Sequence, residues 1–175
     1  MYTANISDAT QRMPTNGRGG SAIARVITNA AIVGNPTATS VQVTDLGANV
    51  AVGDILFMGQ GNWGVATSVN DTTDIVTVKR WYRVGGGVGT IPPSGGNLVA
   101  FPGGVLRTAV ASIINGVIAT AGTTTLTLID PLGTTIAVAL PWAGAPIKMW
   151  GPWRATAGAA SGCTVSFETV GDLDT

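Results

Sequence analysis

Short runs rich in valine and threonine, broken at close intervals by glycine and other turn residues, fill the chain from Ser21 onward. That rhythm limits the fold more than any motif does. β-Branched side chains suit the pleated, half-buried surface of a strand, and turns at such intervals leave little room for long helices. Val41-Gln42-Val43-Thr44 places two valines on one face and two polar groups on the other. Asp54 to Met58 follows a turn at Gly53 and is apolar enough to be buried on both faces. Val65 to Val69 and Ile75 to Val78 flank Asn70-Asp71-Thr72-Thr73-Asp74, a hairpin connection in which Asn and Asp side chains bond nearby amides. Asn97 to Phe101 follows a Gly/Pro-rich loop at Gly85 to Gly96.

Pro102-Gly103-Gly104 reads as a domain boundary. Beyond it, Thr123 to Ile129 is a strand with Leu126 and Leu128 inward, and Asp130 to Gly133 turns it back into Thr134 to Leu140. Pro146 to Trp153 and Cys163 to Val170 supply two more strands. Residues 105–114 fit either a helical stripe through Leu106, Val110, Ile113 and Ile114 or a strand. A strand is favoured, because Asn115-Gly116 is a hairpin signal and β structure surrounds it. The expected architecture is all-β. A small β-barrel-like or sandwich lobe covers 21–103, and a β-sandwich, jelly-roll-like lobe covers 104–175. Residues 1–20 are polar and turn-rich, ending in Asn16-Gly17-Arg18-Gly19-Gly20, and are expected to form a flexible, extended N-terminal arm.

Composition narrows the function. The 175 residues carry 9 basic and 9 acidic side chains, 10% of the chain where an average domain has about 25%. A compact monomer of 17.6 kDa would expose roughly 7,900 Å², about 440 Å² for each charge. Thinly charged, apolar-rich surfaces of this kind are usually covered by copies of the same chain or by a partner, which points to an assembly component. A net charge of zero leaves no electrostatic footprint for nucleic acid or an anionic membrane surface. Ala109 to Ala121, the longest weakly polar stretch, contains Ser112, Asn115 and Gly116 and falls short of the ~20 residues of a membrane helix. Met1 to Asp8 has neither the basic nor the apolar region of a signal peptide, so synthesis in the cytoplasm is expected.

Catalysis finds little to build on. There is no histidine, hence no imidazole base and no Ser-His or Cys-His pair. Glu168 is the one glutamate, and the Asp71/Asp74 and Asp172/Asp174 pairs sit in a turn and a tail where solvated aspartate is ordinary. Cys163 is the one cysteine, which rules out an intrachain disulfide and reads as a small apolar residue. No cofactor or metal is expected. Gly59-Gln60-Gly61-Asn62-Trp63-Gly64 matches the dinucleotide fingerprint in letters, but a β run follows where the fingerprint needs a helix N-terminus, so a tight hairpin turn is expected.

Two groups remain as interface candidates. Lys79, Trp81 and Arg83 would share one face of a strand, with Arg80 and Tyr82 on the other, and could dock an acidic neighbour or merely cover apolar surface. Trp142, Trp150 and Trp153 lie near Pro141, Pro146 and Pro152, an aromatic region suited to a protein contact, to carbohydrate or to the core.

Val52-Gly53-Asp54-Ile55, followed by Gly61 to Gly64 and by Val65 to Val69, resembles small barrel modules of tailed-bacteriophage head and tail proteins. Thr125 to Leu128 and Ala160 to Glu168 are similar to β-sandwich modules of capsid decoration proteins. The resemblance implies a non-enzymatic virion protein on the capsid surface, made in the host cytoplasm. It also implies docking on the major capsid protein and self-association, commonly as a homotrimer. A tail or fibre adhesin binding host glycans through the tryptophan region is the alternative, and a small glycan-processing enzyme is a third reading that the missing histidine disfavours.

Overall fold

A computed structural model describes residues 1–6, 10–14, 21–23, 31–58, 62–83, 98–102, 109–119, 125–131, 135–140, 142, 144–158 and 162–172. The protein is all-β. The chain divides into two compact units, one made of Met1–Ile23, Val105–Asp130 and Thr134–Thr175, the other of Ala24–Gly104 with Pro131–Gly133.

In the second unit the strands are β4 (Ile32–Val33), β5 (Ser40–Val43), β6 (Ile55–Met58), β7 (Asn62–Asn70), β8 (Ile75–Val78), β9 (Tyr82–Arg83) and β10 (Val99–Phe101). They form one antiparallel sheet in the order β10-β6-β7-β8-β5-β4, with β9 also pairing the start of β7. A register shift between Ala66 and Ser68 lets β7 serve both halves of this sheet. Val41, Val43, Leu56, Met58, Ala66, Val76 and Val78 from the two halves meet in one core. The alternation in β5 and the two-sided burial of β6 are as the sequence predicts. Met58 pairs with Asn62 across the β6–β7 hairpin, and residues 59–61 of the expected turn lie outside the described residues. The β7–β8 hairpin follows its side-chain chemistry: Asn70 Oδ1 accepts hydrogen bonds from the Thr72 and Thr73 amides at 3.0 and 3.2 Å. The sheet ends at β10 and β4, and among the described residues no pairing closes it into the expected barrel.

The first unit has β1 (Tyr2–Ile6), β2 (Arg12–Pro14), β3 (Ser21–Ile23), β11 (Ala109–Ala119), β12 (Thr125–Ile129), β13 (Thr135–Ala139), β14 (Ile147–Trp150), β15 (Arg154–Ala157) and β16 (Cys163–Asp172). Two antiparallel sheets result, β1-β16-β11-β14 and β13-β12-β15-β2-β3. Ala4, Ile6, Ile114, Val117, Met149, Val165 and Phe167 of the first share a core with Leu126, Leu128, Val138, Ala155 and Ala157 of the second.

Three sequence expectations change here. The arm expected over 1–20 is, in its described parts, two strands: all of β1 pairs with β16, and Ala4, Ile6 and Met13 are fully buried. Alternation explains it, since Thr3 and Asn5 take the outer face while Ala4 and Ile6 face the core. The strand favoured around 105–114 is present from Ala109, with 105–108 outside the described residues, but Asn115-Gly116 is no hairpin turn. The strand runs through it, and the pairing steps from Ile114–Phe167 to Gly116–Ser166, a bulge that absorbs Asn115. The single strand expected over Pro146 to Trp153 stops at Trp150, and β15 resumes in the other sheet.

Candidate functional site

The outer face of the four-stranded sheet gathers what the tryptophan and charge patterns only hinted at. Odd and even positions sort cleanly. In β14, Met149 faces the core while Lys148 and Trp150 point outward and are exposed. In β16, Val165 and Phe167 face the core while Glu168 and Val170 are exposed. Between them β11 presents Ile113 and, beyond the bulge, Ile118, which is 66% exposed, while Ala111, paired with both Trp150 and Val170, is buried. Lys148 Nζ sits 3.9 Å from the centroid of the Trp150 ring, a cation–π contact that holds the indole out as a platform. Among the side chains described, the face thus carries a large aromatic, two exposed aliphatic groups and one charge of each sign.

The six interface candidates separate. Trp150 alone among the three clustered tryptophans is an exposed large apolar side chain. Trp153 is buried in the core, its ring edge-on to Phe167 with centroids 5.4 Å apart. Trp142 is half-buried against the same core and bridges Val117. A Cβ at Gly144 would meet Trp142 Nε1 at 2.5 Å, so this indole lies where only glycine leaves room. The trio is therefore one exposed platform and two packing residues.

Lys79, Trp81 and Arg83 do not share an exposed face either. β8 ends at Val78, and Trp81 turns into the core of its unit, where its Nε1–H donates to the Thr37 carbonyl at 3.0 Å. Lys79 and Arg83 stay exposed, and the Arg80 guanidinium lies 5.0 Å from the Tyr82 ring centroid. Strand alternation fails as a guide because 79–81 is not strand. The Gly59–Gly64 letters end in β7, where Asn62 and Trp63 are buried and no helix follows.

Among the described residues no group of three carboxylate, cysteine or histidine side chains stands close enough to hold a metal ion. Among the described residues no helix is long and apolar enough to cross a membrane. Burial pushes the Cys163 thiol up to about 11, which leaves it an inert thiol at neutral pH. Arg154 is shifted down by desolvation, opposed by Asp130. Its Nε donates to Gln11 Oε1 at 3.0 Å and Nη1 to the Asp130 carbonyl at 3.3 Å, so it staples the segment before β2 to the ends of β12 and β15.

Compared with known proteins, the chain matches no family model, no curated protein and no solved structure. Sequence reasoning missed Lys148, Ile113, Glu168 and Val170 as members of the face. The one available signal was alternation within Ile147–Trp150, which puts Lys148 and Trp150 on the same side.

Proposed function

We propose that the protein is a non-enzymatic structural subunit of a tailed-bacteriophage virion, a decoration or cement protein that seats on the major capsid protein lattice and stabilises the head. The observation that carries this reading is the outer sheet face, where Trp150, Val170 and Ile118 stand exposed on a surface with few charges. Exposed apolar groups on a rigid sheet suit a protein contact repeated many times across a shell, where weak individual contacts add up. The resemblance of Val52 to Ile55 and Ala160 to Glu168 to phage virion modules names the kind of assembly.

Binding to the shell draws on apolar and backbone contacts, so occupancy on particles should change little between low and moderate salt. Particles stripped of the protein should rupture at lower temperature or under milder osmotic shock, and adding the purified chain should restore resistance, because a ligand of the assembled state stabilises it. Trp150→Ala should lower occupancy by about tenfold or more. The exposed Trp150 platform also favours a second reading, an adhesin that stacks host glycans on the ring. Stripped particles that resist shock as well as complete ones, yet fail to adsorb to cells, would replace the cement reading with the adhesin.

A further inference from the structure

Two rows of side chains cross the outer face of the four-stranded sheet at right angles to its strands. Lys148 and Glu168 both pair with Ile113, one from each side, and Trp150 and Val170 both pair with Ala111 in the same way. Each row therefore has unlike ends about a central residue of β11: cation and anion in one, aromatic and aliphatic in the other. Neighbouring strands lie about 4.8 Å apart, so the two ends of a row stand about 10 Å from one another.

Consider a two-fold axis that lies over the sheet and runs close to the direction of β11. Rotation about it turns a second copy face down and exchanges the β14 side with the β16 side, while every residue keeps its height along the strand. Lys148 of one copy then lies over Glu168 of the other, Trp150 over Val170, and Ile113 over itself. We propose that a second copy of this chain docks face to face on this surface, in that arrangement. Both rows are satisfied at once by one symmetry operation, which is what an isologous contact requires.

Charge complementarity singles out a second copy as the occupant. Each face carries one cation and one anion in the Lys148–Ile113–Glu168 row, and the rotation pairs them twice with opposite sign. Aligned sheets pack about 10 Å apart, which leaves room for Trp150 and Val170 to interdigitate. Their strands cross at about 30°, which places the axis within about 15° of β11. A ring of three copies would need two different patches in contact, so this face makes dimers and not the homotrimer expected from the resemblance. The inference rests on reading this face as a protein contact, and because a dimer covers Trp150 and Val170, a copy seated on the shell through them has exchanged its partner for the lattice.

Sedimentation of the purified full chain across a concentration series tests it, with circular dichroism as the folding control. Both charges are exposed, so reversing either leaves the core intact. The wild type should move from one to two masses of 17.6 kDa as concentration rises. Lys148→Glu and Glu168→Lys should each weaken self-association by at least about tenfold. The double reversal should bring it back to within about threefold of wild type, because opposite charges again face one another. One chain mass at every concentration, a species of three, or a double variant as weak as the single ones overturns the proposal. Ile113→Cys with a bismaleimide spanning about 10 Å gives a second reading that needs no charge change. Cys163 is buried, so the reagent reaches only the new thiol. Cross-linked dimers are expected, and their absence overturns the proposal. Self-association is read without particles, so its failure leaves shell attachment, scored separately, to stand or fall alone.

Discussion

Trp81 and Trp150 have the same side chain and opposite employment. Trp81 is 1% exposed and hydrogen-bonded to Thr37, while Trp150 keeps about a third of its surface in solvent. Trp81→Ala should therefore cost about 3–5 kcal/mol in urea unfolding, and Trp150→Ala within about 0.5 kcal/mol of nothing. Gly64 belongs to the same packing. A Cβ there would stand 3.1 Å from both the Trp81 ring and Val78, so Gly64→Ala should lose about 1–3 kcal/mol by overpacking. Cys163 yields a pH prediction. Burial holds its folded pKa at about 11 against an ordinary 9.0, so the folded state keeps the proton longer. Its contribution to stability is complete below about pH 9 and is lost as pH rises towards 11. Cys163→Ala should flatten the fall in melting temperature over that window, and in the native protein the thiol should react with alkylating reagents only after unfolding. Thiol burial was legible in the sequence, where Cys163 opens an apolar-alternating run. The fate of Trp81 was not, because it follows a strand end and its direction is set by the core it fills.

At the scale of elements, β11 shows how one extra residue is absorbed. On either side of the bulge the alternation is regular, with Ile114 and Val117 inward and Ile113 and Ile118 outward. Deleting Asn115 should therefore keep every other side chain on its own face, and the protein should remain folded with a melting temperature changed by only a few degrees, roughly 1 kcal/mol. Deleting Ile114 instead would bring Asn115 to the core position opposite Phe167, and that unpaired amide should cost about 2 kcal/mol or more. If both deletions melt alike, the bulge is not where the register is absorbed. Strand existence was readable for β5, β8 and β12, where the period of two is clean and Asn70 or Asp130 marks the turn, and for β6 as a short run apolar on both faces. Asn115-Gly116 misled because the same dipeptide suits a hairpin turn and a bulge. Only the partner strand, which continues opposite it, decides between them.

Across the whole molecule, the first unit closes with strands from both ends of the chain. β1 lies against β16 and β2 against β15, so residues 105–175 lack the strands that complete both sheets. A fragment of 105–175 should accordingly fail to give a folded spectrum by itself, and added peptide 1–23 should rescue it in part. In the full chain, removing residues 1–6 strips Ala4 and Ile6 from the core and should lower stability by about 2–5 kcal/mol. The arm reading treated 1–20 as an average composition, and that average hides the alternation that β1 uses.

From the sequence alone came the all-β class, the boundary near Gly104 and the inward residues of the regular strands, because these depend on local periodicity and turn chemistry. Partnership was decided by the tertiary structure. The N-terminal strands find β16 and β15 more than a hundred positions away, and Lys148, Trp150, Glu168 and Val170 become one surface only when β14 and β16 flank β11. Register between distant strands is set by the joint burial of both faces and both partners, and no single run of residues carries that information.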